Sequence, residues 1–189
     1  MNAVVFDYGA GNLHSLGRAL ATVGIDARIE TDPAAAARGD ELLVLPGVGA
    51  FGSAAARLRP GLAAVRASLA AGRPCLGVCL GLQLLFEASD EGPGEGLGVF
   101  AGRVTRLSAR RVPHIGWTKV DGTSEMYFAH SFAARPADTS VVAAWSEHEG
   151  DRFPAIVRRG RIAAVQFHPE KSSADGLALL GRLAREVTS

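Results

Sequence analysis

The chain has 189 residues, of which 48% are hydrophobic and 21% are charged, a balance typical of a globular protein. Its formal net charge is +1, so a basic surface for nucleic acid is not predicted. No apolar run approaches the roughly 20 residues that cross a bilayer, and the N-terminus lacks the basic and apolar regions of a secretory signal. We therefore expect a protein that binds neither nucleic acid nor membrane.

The two cysteines, Cys75 and Cys79, are too few for a disulfide framework and favour a reducing, cytoplasmic compartment. They stand four residues apart with no histidine or cysteine partner at a ligand spacing nearby. A zinc site is therefore not predicted, and we expect neither a metal nor another cofactor.

The first half of the chain alternates short apolar runs with helical patterns. AVVFD (3–7) is a predicted strand, and Asn12 is expected to cap a helix over 13–23 that ends at Gly24. The further strands are predicted at 27–30, 41–49 and 73–79, and the further helices at 61–72 and 80–89. Strands that alternate with helices predict an α/β fold with an open, mostly parallel, flavodoxin-like sheet flanked by helices.

The second half is rich in short β-segments after a Gly/Glu-rich stretch at 89–96, which we interpret as a loop within one domain. The predicted β-segments are 99–108, 126–134, 141–147 and 154–170, with RRGR (158–161) as a hairpin tip. A helix over 174–187 closes the chain. Residues 1–189 are thus predicted to form a single domain with a β-rich C-terminal half.

Three unusual loops follow predicted strands: DYGAGN (7–12), PGVGAFG (46–52) and GVCLG (77–81). In an open parallel sheet, ligands bind beyond the carboxyl ends of the strands. We expect these loops to converge on one rim of the sheet and to form a site there.

Cys79 ends a predicted strand and opens a predicted helix, with Gly77 and Gly81 on either side. This G-x-C-x-G pattern is the thiol version of a nucleophile elbow, in which small neighbours permit a tight turn. The helix N-terminus favours a thiolate, and backbone N–H groups at the turn can stabilise an oxyanion. The alternative is a small buried hydrophobic residue, and we interpret Cys75, inside the strand, in that way.

His168 is the candidate base for such a thiol, because it follows the apolar run IAAVQF at a strand end. Glu170 lies two residues further on, and i and i+2 point to the same side of an extended backbone, so its carboxylate can orient the imidazole. The alternative is a surface His–Glu pair. Of the other histidines, His14 and His148 are expected at the surface, and His114 and His130 in packed or hydrogen-bonded positions.

The PGVG turn (46–49) can aim backbone N–H groups at a developing negative charge. A phosphate-binding loop is the competing interpretation, but the chain has no G-x-x-x-x-G-K-[ST] motif, so a nucleotide site is not favoured.

Two of these segments, GVCLGLQLLFE (77–87) and QFHPEKS (166–172), resemble the class I, triad-type glutamine amidotransferases. Further segments narrow the resemblance to the glutaminase subunits of imidazole glycerol phosphate synthases, enzymes of histidine biosynthesis; they are DYGAGNL (7–13), PGVGAFG (46–52), RRVPHIGW (110–117) and YFAHSF (127–132). The resemblance spans residue 7 to about residue 173 and implies the class I glutamine amidotransferase fold.

The resemblance implies that Cys79 attacks the side-chain amide of glutamine, that His168 transfers protons, and that Glu170 orients His168. The implied oxyanion donors are the N–H of Leu80 and a peptide near Gly47 and Val48, which in this family flips before its donor points inward. The positions that match glutamine contacts are Gly49, Gln83, Ser131 and Phe132. Gln83 also fits physically, since it lies one helical turn after Cys79.

The resemblance further implies a heterodimer with a cyclase subunit, a (β/α)₈ barrel. The cyclase would receive the ammonia through an internal passage and make imidazole glycerol phosphate and aminoimidazole carboxamide ribotide. The residues assigned to this interface are Asn12, Trp117, Tyr127 and Lys171. The alternatives are a core position for Trp117 and a solvated charge for Lys171. Thr118 departs from the family pattern, in which an asparagine amide occupies this position.

Two other functions stay open. The chain could be the glutaminase subunit of another synthase, such as pyridoxal phosphate synthase, although PHIGW (113–117) and YFAHSF (127–132) argue against this. It could also be a regulatory module without turnover, although a complete set of Cys79, His168 and Glu170 argues against that.

Overall fold

The computed structural model describes residues 1–9 and 13–189. Asn12, predicted to cap the first helix and to lie at a partner interface, is outside these residues. The first helix begins at His14, and its N-cap residue is Leu13. Gly24 follows the end of this helix with φ +81°, as expected for the residue that stops it.

The first half alternates strands and helices, as predicted. Its elements are β1 (Asn2–Phe6), α1 (His14–Thr22), β2 (Asp26–Glu30), α2 (Pro33–Ala36), β3 (Leu42–Leu45), α3 (Phe51–Leu58), α4 (Leu62–Ala70), β4 (Cys75–Val78) and α5 (Leu80–Leu84), with a 3₁₀ turn at Arg59–Gly61.

The second half is rich in strands up to the last helix. Its elements are β5 (Ala88–Ser89), β6 (Gly102–Arg106), β7 (His114–Val120), β8 (Ser124–His130), β9 (Phe132–Pro136), β10 (Val142–His148), β11 (Asp151–Arg159), β12 (Ile162–Val165) and α6 (Ser173–Thr188), with 3₁₀ turns at Thr139–Val141 and Pro169–Lys171.

The central sheet has the strand order β10-β11-β12-β4-β3-β1-β2. The five strands from β12 to β2 run parallel, and β11 and β10 add an antiparallel extension through the predicted hairpin. Two smaller sheets, β5-β6-β9 and β7-β8, lie outside it. The α/β fold class, with a parallel-rich sheet and a β-rich C-terminal half, is confirmed.

Three of the parallel strands, β3, β4 and β12, are buried along their whole length, which explains their continuous apolar runs LLVL, CLGV and IAAV. One apolar cluster contains the buried residues of α1 and α6, and a second contains those of α3 and α4. The helices therefore cover the sheet on both sides and leave the carboxyl ends of the strands open for a site.

Two helices differ from the sequence prediction. The helix predicted over 80–89 ends at Leu84. The carbonyls that would continue the helix accept hydrogen bonds from the following loop instead. The Leu97 N–H donates to the Leu84 carbonyl, and the Phe100 N–H donates to the Leu85 carbonyl. By contrast, α3 was not predicted, and only its first two residues fall in the predicted PGVGAFG loop. Its first N–H, on Phe51, donates to the Glu91 carboxylate at 2.8 Å, so a distant side chain caps this helix.

Among the residues that the structure describes, no helix is both long and apolar enough to span a membrane.

Candidate active site

Cys79 occupies the sharp turn between β4 and α5 with φ 45° and ψ −100°. A non-glycine residue with positive φ costs about 1–3 kcal/mol and occurs mostly where surrounding structure enforces it. Here the Cys79 N–H donates to the Val165 carbonyl at 2.7 Å, and the Cys79 carbonyl accepts from the Gln83 N–H at 3.2 Å. The backbone is thus held from both sides, and the thiol is directed to the rim of the sheet.

Glycines make the turn possible because backbone passes very close to it. A Cβ at Gly81 would lie 2.0 Å from the Leu45 carbonyl oxygen, so α5 can pack against β3 only with glycine there. A Cβ at Gly47 would lie 3.0 Å from the Cys79 Cβ. The PGVG turn after β3 therefore runs directly beside Cys79.

His168 follows β12, the strand paired with β4, and its N–H donates to the Tyr127 carbonyl at 2.8 Å. Its Nδ1–H donates to Glu170 Oε1 at 2.8 Å, and both side chains are almost fully buried. Glu170 reaches the imidazole from the 3₁₀ turn Pro169–Lys171, not from the extended backbone expected. The second oxygen, Oε2, is buried without a hydrogen-bond partner. The only side-chain hydrogen bond found for this carboxylate in the described residues is therefore the one to His168.

Burial lowers the pKa of His168, but hydrogen bonds to the Cys79 side chain and to Glu170, together with their charges, outweigh it and raise the pKa to about 10. Since Nδ1 is engaged by Glu170, Nε2 is the nitrogen left to face the thiol. The imidazole is therefore cationic at neutral pH and carries a proton on each ring nitrogen.

Replacing Glu170 by glutamine is expected to lower the pKa of His168 and to destabilise the fold in a pH-dependent way. The pKa of His168 is about 10 in the folded chain and 6.5 for an ordinary histidine, so its ionic hydrogen bond to Glu170 stabilises the fold fully below pH 6.5, and this stabilisation is lost as pH rises through 10. We expect Glu170→Gln to cost about 2 kcal/mol at pH 6 and clearly less near pH 10.5.

Urea unfolding of both proteins at the two pH values measures this difference, and an NMR titration follows the His168 ring. An equal loss of stability at both pH values would contradict the coupling between His168 and Glu170.

A cavity of about 400 Å³ opens at this rim. It brings together most of the residues that the sequence predicted: Gly47, Val48, Gly49, Cys79, Leu80, Gln83, Ser131, Phe132, His168 and Lys171. Glu170 is not on its surface and stands behind His168. The described parts of the three predicted loops converge, as expected. The Tyr8 hydroxyl, after β1, donates to the Pro46 carbonyl, after β3, and the loop that follows Pro46 lies beside Cys79.

The oxyanion candidates lie on two walls of this cavity. Leu80 is the first residue of α5, so its N–H has no acceptor within the helix. Gly47 and Val48 face it from the PGVG turn. Both candidate segments therefore border the cavity beside the Cys79 thiol.

Gln83 has a fixed orientation on the cavity wall. Its Nε2 donates to the Phe132 carbonyl at 2.9 Å and lies 3.4 Å from Gln166 Oε1. The amide nitrogen is therefore occupied by the protein, which leaves Oε1 to accept a hydrogen bond from a ligand.

The three described interface candidates form one cluster behind the His168–Lys171 turn. Trp117 is 49% exposed, which excludes a core position. Its ring packs edge-on against Tyr127 with centroids 6.1 Å apart, and Lys171 Nζ lies 5.9 Å from the centre of the Tyr127 ring. Because the Tyr127 carbonyl holds the His168 N–H, this exposed cluster is directly connected to the candidate base.

Sequence reasoning missed Gln166, whose Nε2 lies 3.5 Å from the Cys79 sulfur. A signal was present, since Gln166 stands two residues before His168 near the same strand end. It also missed His130, Pro113, Ile115 and Glu91 on the cavity wall. Glu91 belongs to the stretch interpreted as a plain loop, and nothing in its local sequence indicates the site.

A larger cavity of about 790 Å³ lies away from this rim, between α4 and the β11–β12 hairpin. Its arginines mostly bind backbone carbonyls, as Arg66 does with Gly96 at 2.7 Å and Arg161 with Val187 at 3.0 Å. Over residues 1–9 and 13–189, no group of three or more side chains suited to hold a metal ion occurs. The cavity at the sheet rim is therefore where the candidate nucleophile Cys79 and the candidate base His168 meet, with Glu170 behind His168.

Comparison with known proteins agrees with this chemistry. Residues 4–182 match the family described as glutamine amidotransferase class-I. The chain is 46% identical over 96% of its length to the imidazole glycerol phosphate synthase subunit HisH of Synechococcus sp. (strain CC9902), covering 93% of that protein. It is 41% identical over 96% of its length to the HisH subunit of Pyrococcus furiosus, covering 97% of that protein.

A crystal structure of a glutamine amidotransferase superimposes with a TM-score of 0.75 over 97% of this chain and 98% of that chain, and its 21% identity supports the fold alone. The resemblance drawn from the sequence motifs is thus confirmed. The chain belongs to the glutamine amidotransferase class-I family and, within it, to the group of imidazole glycerol phosphate synthase subunits HisH.

Proposed function

We propose that this chain is the glutaminase subunit of imidazole glycerol phosphate synthase. It hydrolyses glutamine to glutamate and ammonia and passes the ammonia to a cyclase subunit in histidine biosynthesis. The observation that carries the proposal is the meeting of Cys79 and His168 in one cavity, with Glu170 bonded to His168 at 2.8 Å, in a chain 46% identical to a HisH subunit.

In the proposed reaction, the Cys79 thiolate attacks the side-chain carbonyl carbon of glutamine and forms a tetrahedral adduct. His168, cationic at the start, gives its Nε2 proton to the departing nitrogen, so that the C–N bond breaks and ammonia leaves. A water molecule then loses a proton to His168 and attacks the thioester, and the C–S bond breaks to release glutamate. Glu170 keeps the imidazole oriented and stabilises its cationic form throughout.

The negative oxygen of each tetrahedral adduct is bound, in this proposal, by backbone N–H groups. Leu80 supplies one donor from the start of α5, and the peptide at Gly47 and Val48 supplies the other. Such preorganised donors contribute about 10²–10³ in rate for each donor.

Glutamine is proposed to lie against Gly49, Gln83, Ser131 and Phe132, all of which line the cavity. The Oε1 atom of Gln83 is the acceptor for the α-ammonium group, because Nε2 is held by the Phe132 carbonyl at 2.9 Å. This places the amino-acid end of glutamine near α5 and its amide near Cys79.

The partner is proposed to be a cyclase subunit with a (β/α)₈ barrel, bound as a heterodimer. The exposed Trp117, packed against Tyr127 with Lys171 beside it, supports this surface as the docking site, since tryptophan and tyrosine are enriched at interface centres. Asn12 is assigned to the same interface on the resemblance alone. Ammonia would pass to the cyclase without entering bulk water.

We further propose that residues 1–189 act as a single domain in the cytoplasm. The family match over residues 4–182 supports the former, and the two free cysteines support the latter.

The test is to mix the chain with a cyclase subunit of the histidine pathway and to supply glutamine or ammonium salts as the nitrogen source. We expect imidazole glycerol phosphate from either source with the wild-type chain, and from ammonium alone when Cys79 is replaced by alanine. Product from ammonium but not from glutamine with the wild-type chain would contradict the proposal. If the chain, used as bait, captures a different synthase such as pyridoxal phosphate synthase, the proposed partner is wrong.

A further inference from the structure

Two histidines next to the candidate active site form a continuous line of hydrogen bonds that the glutaminase reaction does not use. Thr118 Oγ1 lies 2.8 Å from His114 Nε2, and His114 Nδ1 lies 3.1 Å from His130 Nε2. His130 Nδ1 lies 2.9 Å from the carbonyl oxygen of Phe132. The line therefore runs from β7 across β8 to the start of β9.

The direction of every hydrogen bond in this line follows from its last acceptor. A carbonyl oxygen only accepts, so His130 Nδ1 carries a proton, and in a neutral ring Nε2 then accepts. His114 Nδ1 must donate to it, which makes His114 Nε2 an acceptor in turn. The Thr118 hydroxyl is the first donor of this line of hydrogen bonds, which we call the relay.

Both rings are neutral at physiological pH, as this assignment requires. Burial, with a smaller effect of the neighbouring histidines, lowers the pKa of His114 to about 4 and that of His130 to about 3, although the hydrogen bond to the Phe132 carbonyl acts in the opposite direction on His130. His148, expected at the surface, stacks on His114 with ring centroids 4.2 Å apart and donates from Nε2 to the Arg111 carbonyl. The rings are therefore packed in place as well as hydrogen-bonded.

The carbonyl at the end of the relay also accepts from Gln83. His130 Nδ1–H and Gln83 Nε2–H both reach the Phe132 oxygen at 2.9 Å, so its two lone pairs are both used. A carbonyl held by two donors has a fixed direction, and it fixes which end of the Gln83 amide faces the cavity.

We propose that Thr118, His114 and His130 are positioning residues for glutamine, which act through the Phe132 carbonyl to hold Gln83 with Oε1 toward the substrate. The relay then controls the affinity for glutamine and leaves the chemistry at Cys79 unchanged. The kinetic part of this inference rests on the glutaminase activity proposed above.

The donor at residue 118 can be removed and restored with nearly constant volume. Thr118→Val replaces the hydroxyl with a methyl group and leaves His114 Nε2 without a donor. Thr118→Ser keeps the hydroxyl, and Thr118→Asn offers an amide N–H in its place. If residue 118 had only a structural role, the effect of each variant on KM would depend on the size of its side chain. If the relay operates, the effect depends on whether the side chain has a hydrogen-bond donor.

Steady-state glutamine hydrolysis, measured on the chain with its cyclase partner, gives the first readout. For Thr118→Val we expect KM for glutamine to rise about three- to tenfold, the loss of one net hydrogen bond, with kcat within about twofold. Thr118→Ser and Thr118→Asn should stay within about twofold of wild type in both constants. An unchanged KM in Thr118→Val, or an equal rise in Thr118→Asn, would overturn the proposal.

The second readout is independent of glutamine turnover. Nitrogen-15 NMR of the full chain at pH 7 should find the proton on Nδ1 and none on Nε2 in both His114 and His130. A proton on Nε2 of either ring would overturn the relay. If no variant, including wild type, hydrolyses glutamine, the glutaminase proposal fails while the NMR result still decides the relay.

Discussion

Replacing Cys79 by alanine is expected to lower glutamate release by about 10⁴-fold or more, because the nucleophile of the thioester step is then missing. The structure offers a physical reason for so large an effect. The Cys79 and Glu170 side chains together outweigh the effect of burial and raise the pKa of His168 to about 10, so in the proposed mechanism the acid, the base and the nucleophile are one coupled unit. Removing one member of such a unit costs about as much as removing all of them.

Cys75, the first residue of β4, is the matched control, because it lies in the strand that directly precedes Cys79. It is fully buried, and burial raises the pKa of its thiol to about 12, so it is not available as a nucleophile. Cys75→Ala should retain activity within about twofold, whatever its effect on stability. Activity that survives in Cys79→Ala, or that falls equally in Cys75→Ala, would remove Cys79 from the mechanism.

The cyclase subunit, together with the substrate to which it adds ammonia, is expected to raise glutamine hydrolysis by about 10²–10³, the effect of completing one oxyanion donor. The exposed Trp117 cluster contacts Tyr127, whose carbonyl holds the His168 N–H at 2.8 Å, so docking on this surface reaches the base directly. The PGVG turn lies beside Cys79, and in the proposed mechanism its peptide is the second donor. Glutamate release from the chain alone, from the pair and from the pair with that substrate measures the effect.

Trp117→Ala tests whether this surface is responsible. We expect the concentration of cyclase needed for half-maximal stimulation to rise by about tenfold or more, since an exposed tryptophan at an interface centre contributes strongly. Ile29→Ala is the control, because Ile29 is 60% exposed on β2, at the far edge of the sheet. Equal activity with and without the cyclase would contradict the regulation, and an equal effect of both variants would contradict the surface.

The parts of the fold that could be predicted are those whose local sequence carries the whole signal. The runs LLVL and CLGV are buried on both faces, so they are continuous and apolar and easy to identify as parallel strands. Cys79 and His168 were found because each follows such a strand, where a parallel sheet collects its functional groups. Glu170 was found by proximity to His168, although the backbone that joins them is a 3₁₀ turn.

The parts that were missed depend on contacts between distant segments. In α3 the buried positions follow the helical period, but the residues before it form the PGVG turn and the cap comes from Glu91, 40 positions later. Leu97 and Phe100 shorten α5 by taking its last carbonyls. Neither effect can be predicted from the local sequence of the helix that it changes.

The strand β7 was missed for a different reason. Its sequence HIGWTKV combines an exposed Trp117, an exposed Ile115 and Gly116 with φ +138°, none of which is typical of a core strand. It is held by pairing with β8 from residue 114 to residue 120, and its His114 Nδ1 lies 3.1 Å from His130 Nε2 next to the candidate site. The chemistry of the site explains this strand better than its apolar pattern does.

The central claim is that the thiol of Cys79 is the nucleophile for a glutamine side chain bound in the cavity at the sheet rim. Its most direct test is to incubate the chain and its cyclase partner with an electrophilic analogue of glutamine and to map the adduct by mass spectrometry. We predict one covalent adduct on the peptide that contains Cys79, prevented by excess glutamine, with Cys75 unmodified. Absence of an adduct at Cys79, or labelling that glutamine does not prevent, would contradict the account.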